Sequence, residues 1–209
     1  MLFIIGVGFV AILLLLYLSS QKKTTDTPPP CLQDPKWGNH SFLVLDSGLK
    51  MHYVEKGDKE KPLMVFLHGF PEFWYSWRHQ LHHHSSKYWC VAPDMRGYGQ
   101  TDKPNGIQNY AMDLLIEDVK QLILGLGRSK CILVGHDWGG TIGYAFTAMH
   151  PEMVQAYIAI NTVHGVAIGR ELRNNLRQRL MSWYVWFFTC LSSIVVELSY
   201  HRVESEELY

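Results

Sequence analysis

Three short runs of uninterrupted apolar residues, Leu63–Leu67, Trp89–Ala92 and Cys131–Val134, each lead into a glycine-bearing segment. A strand covered on both faces reads as such a run, whereas a half-exposed strand alternates. The three therefore predict buried strands of a mostly parallel sheet. Helical spacing separates them. From Tyr110 to Leu126, the residues Leu115, Val119, Leu122 and Leu126 share one face and Gly127 closes the segment, the pattern of an amphipathic packing helix. Thr141 to His150 predicts a second helix, stopped by Pro151, and Ala156 to Ile160 a further strand. Strands that alternate with helices make an α/β domain.

The N-terminus follows a different pattern. Leu2 to Leu18 is apolar throughout, close to the shortest run that spans a hydrocarbon layer of about 30 Å. No Lys or Arg precedes it, and Leu18-Ser19-Ser20 is a poor cleavage site. Residues 1–20 are thus expected to be a single transmembrane signal anchor rather than a cleaved signal peptide. Residues 21–40, with the Pro28-Pro29-Pro30 run, read as a linker. Lys22 and Lys23 place the globular part on the cytoplasmic face, with the endoplasmic reticulum as the expected membrane. The sequon Asn39-His40-Ser41 points the other way, so orientation stays open. Of the four cysteines, Cys90 and Cys131 fall in predicted core strands, where a free thiol acts as a small hydrophobe.

Charge excludes one class of partner. Nineteen basic and nineteen acidic residues give no net charge, so nothing favours nucleic acid. The run His82-His83-His84 is not expected to hold a metal, because consecutive side chains diverge and no carboxylate or cysteine accompanies them at ligand spacing.

The chemistry concentrates in Gly135-His136-Asp137-Trp138-Gly139-Gly140. Its frame is G-x-S-x-G, the strained strand-to-helix turn that lifts a nucleophile above a sheet, with aspartate in the serine's place. A carboxylate there can open a strained ring or displace halide at saturated carbon, leaving an ester on the enzyme. Upstream, the first apolar run leads into His68-Gly69-Phe70-Pro71-Glu72, and the second into Asp94-Met95-Arg96-Gly97-Tyr98-Gly99-Gln100-Thr101-Asp102. In order and spacing these segments resemble the epoxide hydrolases of the α/β-hydrolase superfamily, over about residues 42–188, and the anchor resembles the membrane-bound animal branch. Haloalkane dehalogenases share the Asp-Trp pair but tend to be polar where Phe70 stands.

That resemblance implies an α/β-hydrolase fold, of which this chain holds the N-terminal part of the mostly parallel sheet after the transmembrane helix. It implies that Asp137 attacks the less hindered carbon of a lipophilic epoxide, with the main-chain N–H groups of Phe70 and Trp138 as the oxyanion hole. His68, Pro71, Trp74 and Trp138 are the expected substrate-bordering residues, although Phe73 to Trp77 reads equally as core. A histidine oriented by a second carboxylate then hydrolyses the ester, lid tyrosines hold the epoxide oxygen, and the resemblance implies no metal and no organic cofactor.

Residues 41–188 are expected to form a partial hydrolase domain that includes the start of the lid, from a basic helical run (Arg170, Arg173, Arg177, Arg179) to Trp183–Phe188. Residues 189–209 read as a divergent tail. The apolar stretch Met181 to Val196 reads as a buried or interfacial helix rather than a second span. His150, His164 and His201 are the histidines beyond Asp137, and none is expected to serve as the base. The chain is thus expected to carry the nucleophile without turning over. The competing expectations are a non-catalytic, membrane-tethered product and a haloalkane dehalogenase-like hydrolase.

Overall fold

The computed structural model describes residues 29–183 and 185. The expected anchor over residues 1–20, the tail over 189–209 and His201 lie outside them. Among the described residues, no helix is long and apolar enough to cross a membrane. The chain divides into two units, Met1–Lys36 and Trp37–Tyr209. The first is described from residue 29. It contains one 3-10 turn, Pro30–Leu32, and an ion pair between Lys36 and Asp34 at 2.8 Å.

The second unit is a six-stranded mixed sheet. Its strands are β1 (Asn39–Val44), β2 (Lys50–Lys56), β3 (Leu63–Leu67), β4 (Trp89–Pro93), β5 (Cys131–His136) and β6 (Val154–Ile160), in the spatial order β1-β2-β4-β3-β5-β6. The β1–β2 and β2–β4 pairs are antiparallel, and β4, β3, β5 and β6 are mutually parallel. The helices are α1 (Arg78–His84), α2 (Met112–Gly125), α3 (Asp137–Met149), α4 (Gly165–Asn174) and α5 (Leu176–Met181).

Period-two geometry distributes β3 between two layers. Leu63, Val65 and Leu67 enter a core with Ile116, Val119, Leu122 and Ile123 of α2 and Ile142 and Phe146 of α3. Phe66 points the opposite way and meets the Trp77 ring at 5.3 Å. Every residue of β3 and β4 is buried, as unbroken apolar runs require. The β1–β2 hairpin carries no such run, and its register sets Phe42 opposite His52.

Element ends differ from the sequence expectation where glycines and caps intervene. Helix α3 starts at Asp137, not Thr141, and takes Gly139 and Gly140 into its first turns. The basic run is two helices, because extended Asn175 ends the first and caps the second by accepting from the Gln178 N–H at 3.2 Å.

Candidate active site

The turn between β5 and α3 is tight enough to force its own residues. Asp137 has φ +50°, a left-handed conformation that a side chain with a Cβ adopts at a cost of roughly 1–3 kcal/mol. Strand and helix close on each other there: a Cβ on Gly135 would stand 2.6 Å from the Gly139 carbonyl oxygen and 2.7 Å from Gly140 Cα. Only glycine allows that approach. The result holds Asp137 at the first position of α3, where the orphan N–H groups of the first turn and the helix dipole favour negative charge.

The loop after β3 lies against this elbow. The Phe70 N–H donates to Asp137 Oδ1 at 3.0 Å. The Gly69 N–H donates to Glu72 Oε2 at 3.1 Å, and the same oxygen accepts from His136 Nδ1 at 3.1 Å. Glu72 therefore ties its own loop to the residue before Asp137. A Cβ on Gly69 would be 2.7 Å from Asp137 Cβ, which leaves no room for a side chain. The Phe70–Pro71 peptide bond is cis.

His68 sits beneath that loop. It donates from Nδ1 to the Gly69 carbonyl at 2.9 Å and accepts the Met95 N–H on Nε2 at 2.9 Å, which fixes a neutral tautomer. Burial pushes its pKa down, against the Gly69 hydrogen bond and the charges of Asp94 and Glu72. Tyr98 stacks edge-on against His68 at 4.9 Å. Burial, then the negative charge of Asp137, push its phenol up.

Asp94 joins the two loops to the hairpin. Its Oδ1 accepts the Trp74 N–H at 2.9 Å, and its Oδ2 accepts the Gln100 N–H at 2.9 Å and His52 Nδ1 at 2.8 Å. Burial alone would raise its pKa. The bonds from His52, Trp74 and Gln100 outweigh burial and hold it low. His52 Nε2 in turn meets His40 Nδ1 at 2.9 Å. On the far side of the loop, Arg96 clasps Asp118 of α2 with two bonds, at 2.7 and 2.6 Å.

An aspartate on a strand-to-helix elbow, faced by a main-chain donor from the loop after the neighbouring parallel strand, is the arrangement of one superfamily. The alpha/beta hydrolase fold family matches residues 62–189. The chain belongs to the α/β-hydrolase family. It is 48% identical over 169 residues to "Epoxide hydrolase 4" of Homo sapiens, covering 80% of this chain and 47% of that protein. It is 44% identical over 170 residues to "Epoxide hydrolase 3" of Mus musculus, covering 78% and 46%. Among solved structures, it resembles the Bacillus megaterium epoxide hydrolase in complex with an inhibitor, at 44% identity and a TM-score of 0.68, covering 71% and 51%. The chain spans about half the length of the curated relatives it matches.

Within this α/β-hydrolase chain, Asp137 and the N–H of Phe70 are brought together, and Trp138 contributes an N–H in the first turn of α3. The side chains of Phe70 and Trp138 are 46% and 51% exposed, and Pro71 is exposed as well. His68 and Trp74 are each only 1% exposed. Both ring nitrogens of His68 bond within the protein, and the Trp74 ring packs against His40 at 5.1 Å.

Of the histidines after Asp137, His150 ends α3 against Phe146 and Glu152. His164 caps α4, accepting the Val166 N–H at 3.3 Å. Among the described residues no group of three or more ligating side chains could hold a metal. Sequence reasoning passed over Glu72 and His136 as a pair. Each lies within one of the two motifs, but only folding brings their 64-residue separation to hydrogen-bond distance.

Proposed function

We propose that this chain carries the nucleophile of an epoxide hydrolase that opens lipophilic epoxides to vicinal diols. The observation that carries the reading is the bond from the Phe70 N–H to Asp137 Oδ1. It leaves Oδ2 as the oxygen that attacks. Oδ2 forms a bond to the less hindered epoxide carbon, the carbon–oxygen bond of the ring breaks, and the epoxide oxygen leaves as an alkoxide that takes a proton. The product is a hydroxyalkyl ester on Asp137. Clearing that ester needs a general base: the base takes a proton from water as the water oxygen adds to the ester carbon, Oδ1 becomes the oxyanion between the N–H groups of Phe70 and Trp138, and collapse expels the diol and restores the carboxylate. Neither His150 at the end of α3 nor His164 at the cap of α4 is assigned that part, so the ester on this chain accumulates. A donor aimed at a developing oxyanion contributes roughly 3–4 kcal/mol to such a step.

Similarity to the epoxide hydrolases of human, mouse and Bacillus megaterium supports this substrate class. Displacement of halide is the competing chemistry, and the apolar Phe70 side chain offers a leaving halide no hydrogen bond. The test is the intact mass of the purified chain after incubation with a reactive lipophilic epoxide, beside an Asp137→Ala control. A gain of one substrate mass, absent from the control, is expected. An adduct that forms equally on the control places the reaction elsewhere and sinks the proposal.

A further inference from the structure

Helices α4 and α5 present an unusual surface. In α5, Leu176 and Leu180 are four residues apart and fall on one helical stripe, and Trp183 follows just beyond the Ser182 cap that ends the helix. That stripe faces outward, and Trp183 with it: Leu176 is 62% exposed, Leu180 65% and Trp183 63%. The half-buried side is polar instead, where Gln178 Nε2 donates to Ser182 Oγ at 3.2 Å. A surface helix of a globular protein packs the other way round, with its apolar stripe toward the core. Arg177 and Arg179 flank the stripe on either side, at helical angles about 100° and 60° from Leu176. On α4 the exposed residues are Val166, at 72%, with Arg170 and Arg173 beside it. From residue 165 to 183 there are four arginines and a single acidic residue, Glu171.

We propose that this face of α4 and α5 is an interfacial surface for an anionic lipid bilayer. The apolar stripe, Trp183 with it, enters the acyl boundary, and the arginines reach phosphate and carboxylate groups with their stems along the apolar surface. Charge selects the occupant: an apolar face bordered by four arginines fits a negatively charged surface better than a neutral one. The surface is independent of the apolar run over residues 2–18, and it does not depend on the chemistry of Asp137.

The experiment uses the full chain with vesicles of phosphatidylcholine brominated on its acyl chains, with and without phosphatidylserine. Bromine quenches only indoles at acyl depth, and the run over residues 2–18 contains no tryptophan, so that run gives no signal of its own. The expected result is quenching of an emission component that Trp183→Phe lacks, stronger with phosphatidylserine. Trp183→Phe is an exposed replacement, and far-UV circular dichroism checks that the fold is kept. Arg177→Gln and Arg179→Gln should each weaken the phosphatidylserine-dependent quenching of that Trp183 component, about fivefold in the docking equilibrium. Equal quenching of the wild type and Trp183→Phe overturns the proposal. So does a Trp183 component that bromine never reaches, which would mean that protein, from this chain or a second copy, covers the stripe.

Discussion

The Phe70 N–H and the Asp137 carboxylate, 67 residues apart in sequence, are joined at 3.0 Å. Two loops that leave neighbouring parallel strands meet at that bond. Its length depends on Gly69, because any Cβ there would stand 2.7 Å from Asp137 Cβ. Gly69→Ala should therefore push the Phe70 N–H away from Oδ1. That donor serves attack on the ester carbonyl, where Oδ1 carries the oxyanion, and losing one such donor typically slows the step it serves by about 10²–10³-fold. Cleavage of the Asp137 ester by added hydroxylamine, followed by intact mass against time, should slow by that order while far-UV circular dichroism stays unchanged. A cleavage rate within a factor of three of wild type would remove the Phe70 donor from the mechanism.

Asp94 should matter to the fold more than to the chemistry. One carboxylate accepts from Trp74, Gln100 and His52 and is 1% exposed. Asp94→Asn keeps the shape, but its amide nitrogen can only donate, and it would face a donor. Breaking a buried charged network costs about 3–5 kcal/mol, which urea denaturation should read as a lower midpoint with an unchanged slope. A loss below 1 kcal/mol would mean that the loops are held by other contacts.

The arrangement at Asp94 also shows which parts of the fold the sequence discloses. Leu63–Leu67 is legible to the residue, because a strand covered on both faces needs nothing but apolar side chains. The β1–β2 hairpin is not. Strand β2 is buried from Met51 to Glu55, yet His52 and Glu55 interrupt its apolar pattern. They are tolerated because Asp94 satisfies one and Trp89 Nε1, at 2.8 Å, donates to the other. Neither partner is local, so no window of sequence contains the reason. The same holds at the site. The elbow glycines announce Asp137, but the Glu72–His136 pair and the burial of His68 and Trp74 arise only when three loops close.

Acid stability should show two separate limbs. Burial lowers the His68 pKa below 6.5. Between 6.5 and that lower folded value the unfolded chain binds a proton that the native chain refuses, so stability falls as pH drops through this window. Asp94 acts lower, since its folded pKa lies under the ordinary 3.8. Its contribution is complete above 3.8 and is lost as pH falls through the folded value. Urea midpoints measured from pH 7 to pH 3 should decline in the first window for wild type and stay flatter there for His68→Gln. A profile that declines identically in both proteins would assign the first limb to another group.

Arg96 separates charge from geometry. Its guanidinium spans both oxygens of Asp118, at 2.7 and 2.6 Å, with side chains 6% and 5% exposed. The Asp118 hydrogen bonds, followed by the opposing effect of burial, leave the Arg96 pKa raised, whereas burial, against the bonds from Arg96, raises the Asp118 carboxyl, so acid breaks the pair from the Asp118 side. Lysine keeps the charge but presents a point donor in place of a planar fork. Arg96→Lys should cost about 1–3 kcal/mol, the worth of a charge-assisted hydrogen bond left unmade. Arg96→Ala leaves Asp118 buried without its counter-ion, and the penalty should reach about 3–5 kcal/mol. The Asp118→Asn variant closes a double-mutant cycle with Arg96→Ala. A coupling well above 1 kcal/mol in urea denaturation is expected, since exposed pairs rarely exceed that. Additive losses would mean that Arg96 holds its loop through the Asn109 carbonyl, 3.3 Å from its guanidinium, and not through α2.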